Sequence, residues 1–372
     1  MRRAGTATAP LGSGISPVEV DPVRDPRWDS FVRRHRSAGA YHLGAWAEVL
    51  HSAYGYRPAY LALEAPDRTI LGGLPLMCTR GPLTGRRMRT LPVLPPAGPL
   101  ADSDEHMRAL LEAACRLTDS MGARVWTAHA RQGGLEAVAP ELRAMPKNPT
   151  FVLPLDREPD EIRRGWKKSS SNIFRSVRKA EKAGVTVREA TSRADVRAFY
   201  MLYARTMRRR RVLPRPFRQI AAAHELLPDG VFQMHLAEHD GRIVAGSMWH
   251  SFGGTLDLLY NGSDERHLDA RPNHALYWHA LRWAAETGHA ELDFGPAKPG
   301  SGLADFKQQW GAEPLPEFRY DYVPGERTGR GGSGAGPAGA AEGRESTSLL
   351  ARAIERAPLH LLAMAGLIGY RL

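Results

Sequence analysis

Cysteine and lysine are both scarce in this 372-residue chain: two cysteines, and seven lysines among 51 basic residues. Cys78 and Cys115 cannot build a disulfide framework or a structural zinc site, so a reducing, cytoplasmic setting is expected. No run of about 18 apolar residues is present, so no helix is expected to span a membrane. Arg2 and Arg3 have no apolar stretch behind them, which argues against a secretory signal. There is no HExxH, no cysteine pair and no Asp-rich calcium loop, and neither a GxSxG elbow nor a phosphate-binding P-loop. Metal catalysis, serine hydrolysis and P-loop chemistry are therefore set aside, and neither metal nor cofactor is expected. A composition of 42% hydrophobic and 24% charged residues excludes a collagen, a coiled coil and a wholly disordered chain.

What is present is positive charge, unevenly placed. The net charge is +11, and residues 160–215 alone hold 17 Lys and Arg against five Asp and Glu. Such a concentration attracts phosphate, whether on RNA, a nucleotide-linked substrate or an anionic surface. Its members are Arg175, Arg178, Lys179 and Lys182 on one helical pattern, and the run Arg208, Arg209, Arg210 and Arg211 at the end of the next. A solvated helical face would carry the same residues.

The pattern along the chain alternates helices and strands. Residues 1–17 read as a disordered lead, 18–156 and 157–323 as two domains, 324–345 as a Gly/Ala-rich linker and 346–372 as an apolar, arginine-dotted helix. The two domains echo one another. Strand-like runs at 60–64 and 69–77 match 232–238 and 242–249, the latter pair joined by Asp240-Gly241, a hairpin signal. A helix from Asp104 to Gly122 leads into a strand at 123–130, and its counterpart from Asn273 to Gly288 leads into 289–294. The fold class is therefore α/β, with each domain a mixed twisted sheet flanked by helices. Between them a helix over 160–183 stops at Gly184, and helices over 194–211 and from Pro216 to Leu227 follow.

The densest stretch for chemistry is Glu291 to Gly311. A strand breaks at Gly295-Pro296, a glycine loop follows, and a short helix carries Phe306, Lys307 and Trp310. Lys298 and Lys307 flank this loop at the C-terminal edge of a strand, a usual place for α/β sites; a lysine that merely caps a helix is the plain alternative. Asp293, His274 and Tyr260 are candidates for proton handling or substrate contact.

The ordered set His42-x3-Trp46, Gly55-Tyr-Arg57-Pro-x-Tyr60, Pro96-Ala-Gly-Pro-Leu100, Arg178–Val185, Asp293-Phe-Gly295 and Asp305-Phe306-Lys307-x2-Trp310-Gly311 resembles the FemAB family over residues 18–323. That family comprises tandem GNAT-fold aminoacyl transferases. The resemblance implies two GNAT-like domains, an aminoacyl-tRNA donor and an amine acceptor. It also implies that Lys307 stabilises the oxyanion, that Phe306 shapes the pocket, and that His42, Trp46 and Arg57 belong to the substrate side. Lys298 would grip a phosphate.

Two features of the residues bear on that implication. Acetyl-CoA-using GNAT enzymes bind pyrophosphate on a glycine-rich turn, whereas Asp264–Leu276 has no glycine and carries Pro272, which lacks an N–H. From His42 to Arg57 the one permanent cation is Arg57, so the acceptor stays open: a cell-envelope, polysaccharide or natural-product amine, small or lipid-linked. An acyltransferase using acyl-CoA or an acyl carrier protein, and a non-catalytic GNAT-fold binding module, remain the alternatives. The 346–372 helix suits peripheral contact at the inner face of a membrane, or docking on the protein itself.

Overall fold

The computed structural model describes residues 14–82, 84–168 and 172–326, together with 353–355, 357–358, 361–362 and 365. Two compact units are formed, one from Met1–Ala47, Tyr56–Pro146 and Glu317–Thr328, the other from Glu48–Gly55, Lys147–Pro316 and Gly329–Leu372.

The first unit begins with β1 (Ser16–Val20), α1 (Pro26–Arg34) and α2 (Ala45–Tyr54). Strands β2 (Arg57–Pro58), β3 (Tyr60–Glu64), β4 (Ile70–Leu74), β5 (Met77–Gly81), β6 (Gly85–Arg89) and β7 (Leu100–Ala101) follow. It continues through α3 (Asp104–Ser120), β8 (Trp126–Ala130), α4 (Leu135–Val138) and β9 (Arg143–Pro146). Helix α3 starts where Ser103 accepts a hydrogen bond from His106 N at 3.1 Å, with Asp104 and Glu105 in its positive first turn. Met107, Leu110, Leu111 and Ala114, spaced for one helical face, are buried against β3 and β4. Gly122, at φ +59°, ends the helix in the left-handed conformation that glycine adopts without strain.

The second unit holds β10 (Thr150–Pro154), α5 (Pro159–Lys168), α6 (Ile173–Lys182), β11 (Thr186–Glu189), α7 (Arg193–Arg209) and α8 (Phe217–Leu226). Then come β12 (Phe232–His239), β13 (Arg242–Phe252), β14 (Thr255–Ser263), α9 (Pro272–Glu286), β15 (Glu291–Pro296), α10 (Gly302–Gln309) and β16 (Glu313–Leu315). The last strand, β17 (Phe318–Tyr322), returns to the first unit. The second unit's sheet runs β11-β12-β13-β14-β15-β10-β16, antiparallel except where β15 lies parallel to β14. The β12–β13 hairpin turns on Asp240 (φ +51°) and Gly241 (φ +70°), the pair of left-handed residues a tight hairpin needs.

The two faces of this sheet are covered by different helices. On β13, Ala245 clusters with Leu276 of α9, while the next residue, Gly246, lies under Phe199 of α7. Successive strand residues point to opposite faces, so α7 and α9 lie on opposite sides. Helix α6 packs on α9, through Ile173 and Val177 against Trp278 and Leu281.

Several sequence expectations are redrawn. β1 already contains Ser16 and Pro17, with Ser16 paired to Glu64, so the structured part begins inside the expected lead. The expected domain limits at 156 and 323 differ from the compact units, because strands follow their hydrogen-bonding partners. β10 inserts between β15 and β16, and β17 between β8 and β9. The single helix expected over 160–183 is two helices, α5 and α6. Most of the expected 324–345 linker and 346–372 helix, and residues 1–13, lie outside the described residues. Within the last segment Ile354 and Leu362 are buried, and Glu355 accepts from Arg211 Nε at 3.0 Å. These contacts fall on the chain itself.

Two predictions concern this core. A Cβ at Gly262 of β14 would sit 2.6 Å from Tyr203 Cα, so Gly262→Ala must push α7 off the sheet. Urea unfolding should show a loss of about 1–3 kcal/mol. Gly302→Ala, where a Cβ meets nothing within 4 Å, should be neutral; equal stability of the two variants would refute the close approach.

The second prediction concerns pH. Burial pushes the imidazoles of His235 and His250 down to about 3, against about 6.5 in an unfolded chain. Their folded form is neutral, so stability is full above about pH 6.5 and is lost as pH falls toward the folded value. Between pH 7 and pH 5 each histidine should withdraw about 2 kcal/mol from the unfolding free energy. His235→Phe should flatten the dependence; unfolding curves that coincide at the two pH values would show these rings to be solvated.

Candidate active site

β14 and β15 pair in parallel only at Thr255–Glu291, Leu256–Leu292 and Asp257–Asp293, and then part. β10 holds the other edge of β15 throughout, from Glu291 to Pro296. On β14 the register with β13 slips between Leu258 and Tyr260, a bulge that leaves Leu259 unpaired and re-aims the residues after it. Beyond the bulge Tyr260 turns toward α7, 5.1 Å from Tyr203, with its hydroxyl accepting from Gln219 at 2.9 Å. Asn261 turns to the other face and donates to Asn273 Oδ1 of α9 at 3.3 Å.

Between the parted strand and α9 lies a cavity of about 260 Å³. Asn261, the first turn of α9 (Pro272, Asn273, His274), Tyr277, Leu303 and Phe306 of α10, Leu268, and the arginines 210 and 271 line it. Arg271 takes a left-handed conformation (φ +59°, ψ +39°) just before Pro272, and its carbonyl accepts from His274 N at 3.0 Å. Proline suits the first helical position, where its missing N–H is no loss. One wall is aromatic: Phe306 lies 5.4 Å from His274 and 5.6 Å from Tyr277, with the fully buried Trp310 behind them.

Electrostatically the cavity favours negative charge. No Asp or Glu lines it among the described residues, two arginines do, and the N-terminus of α9 adds its partial positive charge. Burial, aided by Arg271, lowers the His274 pKa to about 4, and burial pushes the Tyr277 hydroxyl up to about 12. Both are uncharged near neutrality, so His274 offers a hydrogen-bonding ring rather than a cation.

Lys307 does not line this cavity. Its side chain, the next after Phe306, is buried, and Nζ donates to Gly295 O at 2.7 Å and Pro296 O at 3.0 Å, 5.6 Å from the Phe151 ring centre. An ammonium group is thereby fixed at the end of β15, where the strands part. Asp293 is buried on the same strand and accepts from Thr150 Oγ1 and from Gly295 N at 2.7 Å. That geometry braces the Gly295 turn. Lys298 is exposed in the loop before α10.

The remaining sequence-derived residues are spread more widely. His42 and Trp46 are buried in the first unit. His42 Nε2 contacts Gly98 O at 3.0 Å, and burial lowers its pKa to about 4. Arg57 is exposed on β2. The basic segment is two surfaces rather than one face, since α6 and α7 lie on opposite sides of the sheet. On α6 the exposed Arg175, Arg178, Lys179 and Lys182 form a stripe, with Arg178 over the Phe174 ring at 5.9 Å. At the end of α7, Arg208 is half-buried, Arg209 pairs with Glu265 at 3.5 Å, and Arg211 pairs with Glu355. Arg210 reaches the cavity. Asn261, Asn273, Arg271 and Tyr277 were not anticipated from sequence. The helix was expected from Asn273, one residue after its start at Pro272, but a bulge that re-aims Asn261 has no local sequence signature.

Residues 167–308 match the model of the acetyltransferase (GNAT) domain family. No curated protein sequence matches the chain. Among solved structures the chain is similar to FemX, at 18% identity and a TM-score of 0.66, over 83% of this chain and 97% of that one. It is also similar to the C-terminal domain of a putative lysylphosphatidylglycerol synthetase from Agrobacterium fabrum, at 13% identity and a TM-score of 0.54, over 80% and 90% of the two chains. A tandem GNAT protein from the clavulanic acid biosynthesis pathway is similar at 14% identity and a TM-score of 0.53, over 84% and 99%. Residues 167–308 accordingly match an acetyltransferase (GNAT) domain, and the chain as a whole shares its fold with FemX and with a tandem GNAT protein.

Proposed function

We propose that the second unit transfers an aminoacyl group from aminoacyl-tRNA to the amine of a second substrate, a cell-envelope, polysaccharide or natural-product acceptor. The observation that carries this reading is the pairing of an anion-favouring cavity, without acid among the described residues, with an ammonium held at the end of β15, Phe306 and Lys307 being consecutive on α10. The FemX and lysylphosphatidylglycerol synthetase likenesses support transfer of an aminoacyl group in general terms.

Little covalent chemistry is required of the protein. An aminoacyl ester is already activated, and an unprotonated amine attacks its carbonyl carbon. A C–N bond forms, the carbonyl oxygen becomes an oxyanion, and collapse breaks the ester C–O bond, the amine's proton passing to the departing ribose oxygen. The protein aligns the two reactants and stabilises the oxyanion. In this reading Phe306 shapes the carbonyl's pocket and Lys307 supplies the positive charge. Arg210, Arg271 and the α9 N-terminus hold donor phosphate. The α6 stripe and the α7 end meet more distant parts of the tRNA, and Lys298 grips a substrate phosphate. Tyr260 and Asp293 act as braces for the strands around the site, while Arg57, His42 and Trp46 of the first unit belong to the acceptor side. No helix among the described residues is long and apolar enough to cross a membrane, so a lipid-linked acceptor would be met from one side, the 346–372 segment being a candidate contact.

The decisive variant is Lys307→Met, which keeps the aliphatic stem and removes the charge. The single-turnover rate per folded molecule should fall on the order of 10²–10³-fold, as for a lost oxyanion donor, with substrate binding little changed. A lower melting temperature is also expected, because two carbonyls lose their donor. Full turnover by the folded fraction would remove Lys307 from the mechanism. In the same assay RNase should abolish product formation, and product made from acyl-CoA without tRNA would replace the donor.

Binding offers a separate check. Arg178→Glu with Lys182→Glu should weaken tRNA binding and reduce the slope of log K against log salt by about one for each phosphate no longer neutralised. An unchanged slope would assign the α6 stripe to solvent.

A further inference from the structure

Two imidazoles meet at the end of the β12–β13 hairpin. His239, the last residue of β12, and His267 stand 28 residues apart in sequence, yet their Nδ1 atoms lie 3.3 Å from each other. The rings are steeply inclined, at 78°, with centres 5.6 Å apart, and both residues are half-buried. They meet because the chain leaving β14 stays beside β13. Asp264 N donates to Val244 O at 2.8 Å, and the 3₁₀ turn that follows, Glu265–Ala270, carries His267 to the hairpin end.

A direct bond between two Nδ1 atoms requires unlike tautomers, one ring protonated on Nδ1 and the other on Nε2. At 3.3 Å the contact is longer than the usual reach of an N–H donor, about 2.7–3.2 Å to oxygen. The same separation suits another arrangement. Zinc–imidazole bonds of about 2.0–2.1 Å at a tetrahedral angle set two nitrogens about 3.3–3.4 Å apart. Both Nδ1 lone pairs then serve one ion, and each ring keeps its proton on Nε2. Asp240 supplies negative charge beside them: its Oδ2 lies 3.6 Å from His239 Nδ1, on a side chain 81% exposed. Of the arginines nearby, Arg266 is paired with Asp264 at 2.6 Å, and Arg242, opposite His239 in the hairpin, is exposed.

We propose that His239 and His267 bind a divalent transition metal of the zinc class through Nδ1 of each ring. Water fills the remaining positions, and Asp240 accepts from that water and offsets the ion's charge. Among the described residues no group of three or more His, Cys, Asp or Glu is arranged to hold a metal. The site is therefore a two-ligand, exchangeable one, unlike the closed four-ligand structural kind. Bound there, the ion fastens the hairpin to the 3₁₀ turn, in which Leu268, the neighbour of His267, lines the cavity described above.

The test is titration of the untagged full chain, first stripped with EDTA, with Cu²⁺, Zn²⁺, Mn²⁺ and Mg²⁺, read by calorimetry and by melting temperature. Zinc should saturate below millimolar concentration and raise Tm, because the folded state alone brings the two rings together. Copper should bind more tightly than zinc, and manganese and magnesium far more weakly. His239→Gln or His267→Gln should weaken zinc at least about tenfold, a lost ligand costing no less than a lost outer-sphere partner, while both melt as the wild type does in EDTA. His106→Gln, on α3 of the first unit, is the control and should bind as the wild type does. Zinc that stabilises no more than magnesium, undiminished affinity in folded His267→Gln, or an equal loss in His106→Gln would each overturn the proposal. The readouts involve no transfer activity, so their failure leaves the aminoacyl-transfer reading standing.

Discussion

The parting of β14 from β15 is the constraint on which the rest of the second unit depends. Three residue pairs of parallel hydrogen bonding hold the strands together, after which the bulge turns β14 away while β15 stays bonded to β10. Each strand remains bonded to a partner on its outer side, while the backbone groups that face the gap no longer have a strand partner there. Asn261, turned by the bulge, meets the first turn of α9 and Phe306 of α10 at the cavity. The cavity thus depends on the sheet through one re-aimed residue, and its other lining side chains are positioned by the helices and the segments before them.

Lys307 shows how charge is handled beside such a gap. A buried ammonium is costly unless its hydrogens are satisfied. Here the carbonyls of Gly295 and Pro296 lie at the frayed end of β15, where the strand no longer has a parallel neighbour. The same lysine therefore caps a strand end and concentrates positive charge there. Structural and chemical roles are not alternatives for this residue; the first fixes the geometry on which the second would rely.

Much of the fold was legible in the sequence, because it rests on local signals. Asp240-Gly241 announced a hairpin, and Gly122 and Gly184 ended helices. Strand partnership is a long-range property, and there the expected domain limits depart from the sheets: Phe318–Tyr322 reads as a continuation of its neighbours in sequence but pairs with Trp126–Ala130. The site divides in the same way. The Phe306-Lys307 pair stood out as a motif, while Asn261 and Asn273 meet only because a bulge turns one strand residue toward a helix start. Charge density was legible in amount but not in arrangement. Composition counts arginines along the chain, whereas α6 and α7 carry them to opposite sides of a sheet.

The return of β17 has a consequence for the order in which the protein is made. The six-stranded sheet of the first unit places β17 between β8 and β9, with Tyr320 fully buried in its core and donating to Gln132 O at 2.9 Å. Nearly 200 residues separate that tyrosine from its partner in sequence. A nascent chain emerging from the ribosome with the first 146 residues complete still lacks an interior strand, and β8 and β9 each present an unsatisfied edge until the whole of the second unit has been synthesised. Unpaired edges recruit other strands, so the N-terminal half depends during that interval on delayed closure or on chaperone cover. A gene split between the two units, or an expression fragment ending near residue 316, would release a protein with that edge permanently open.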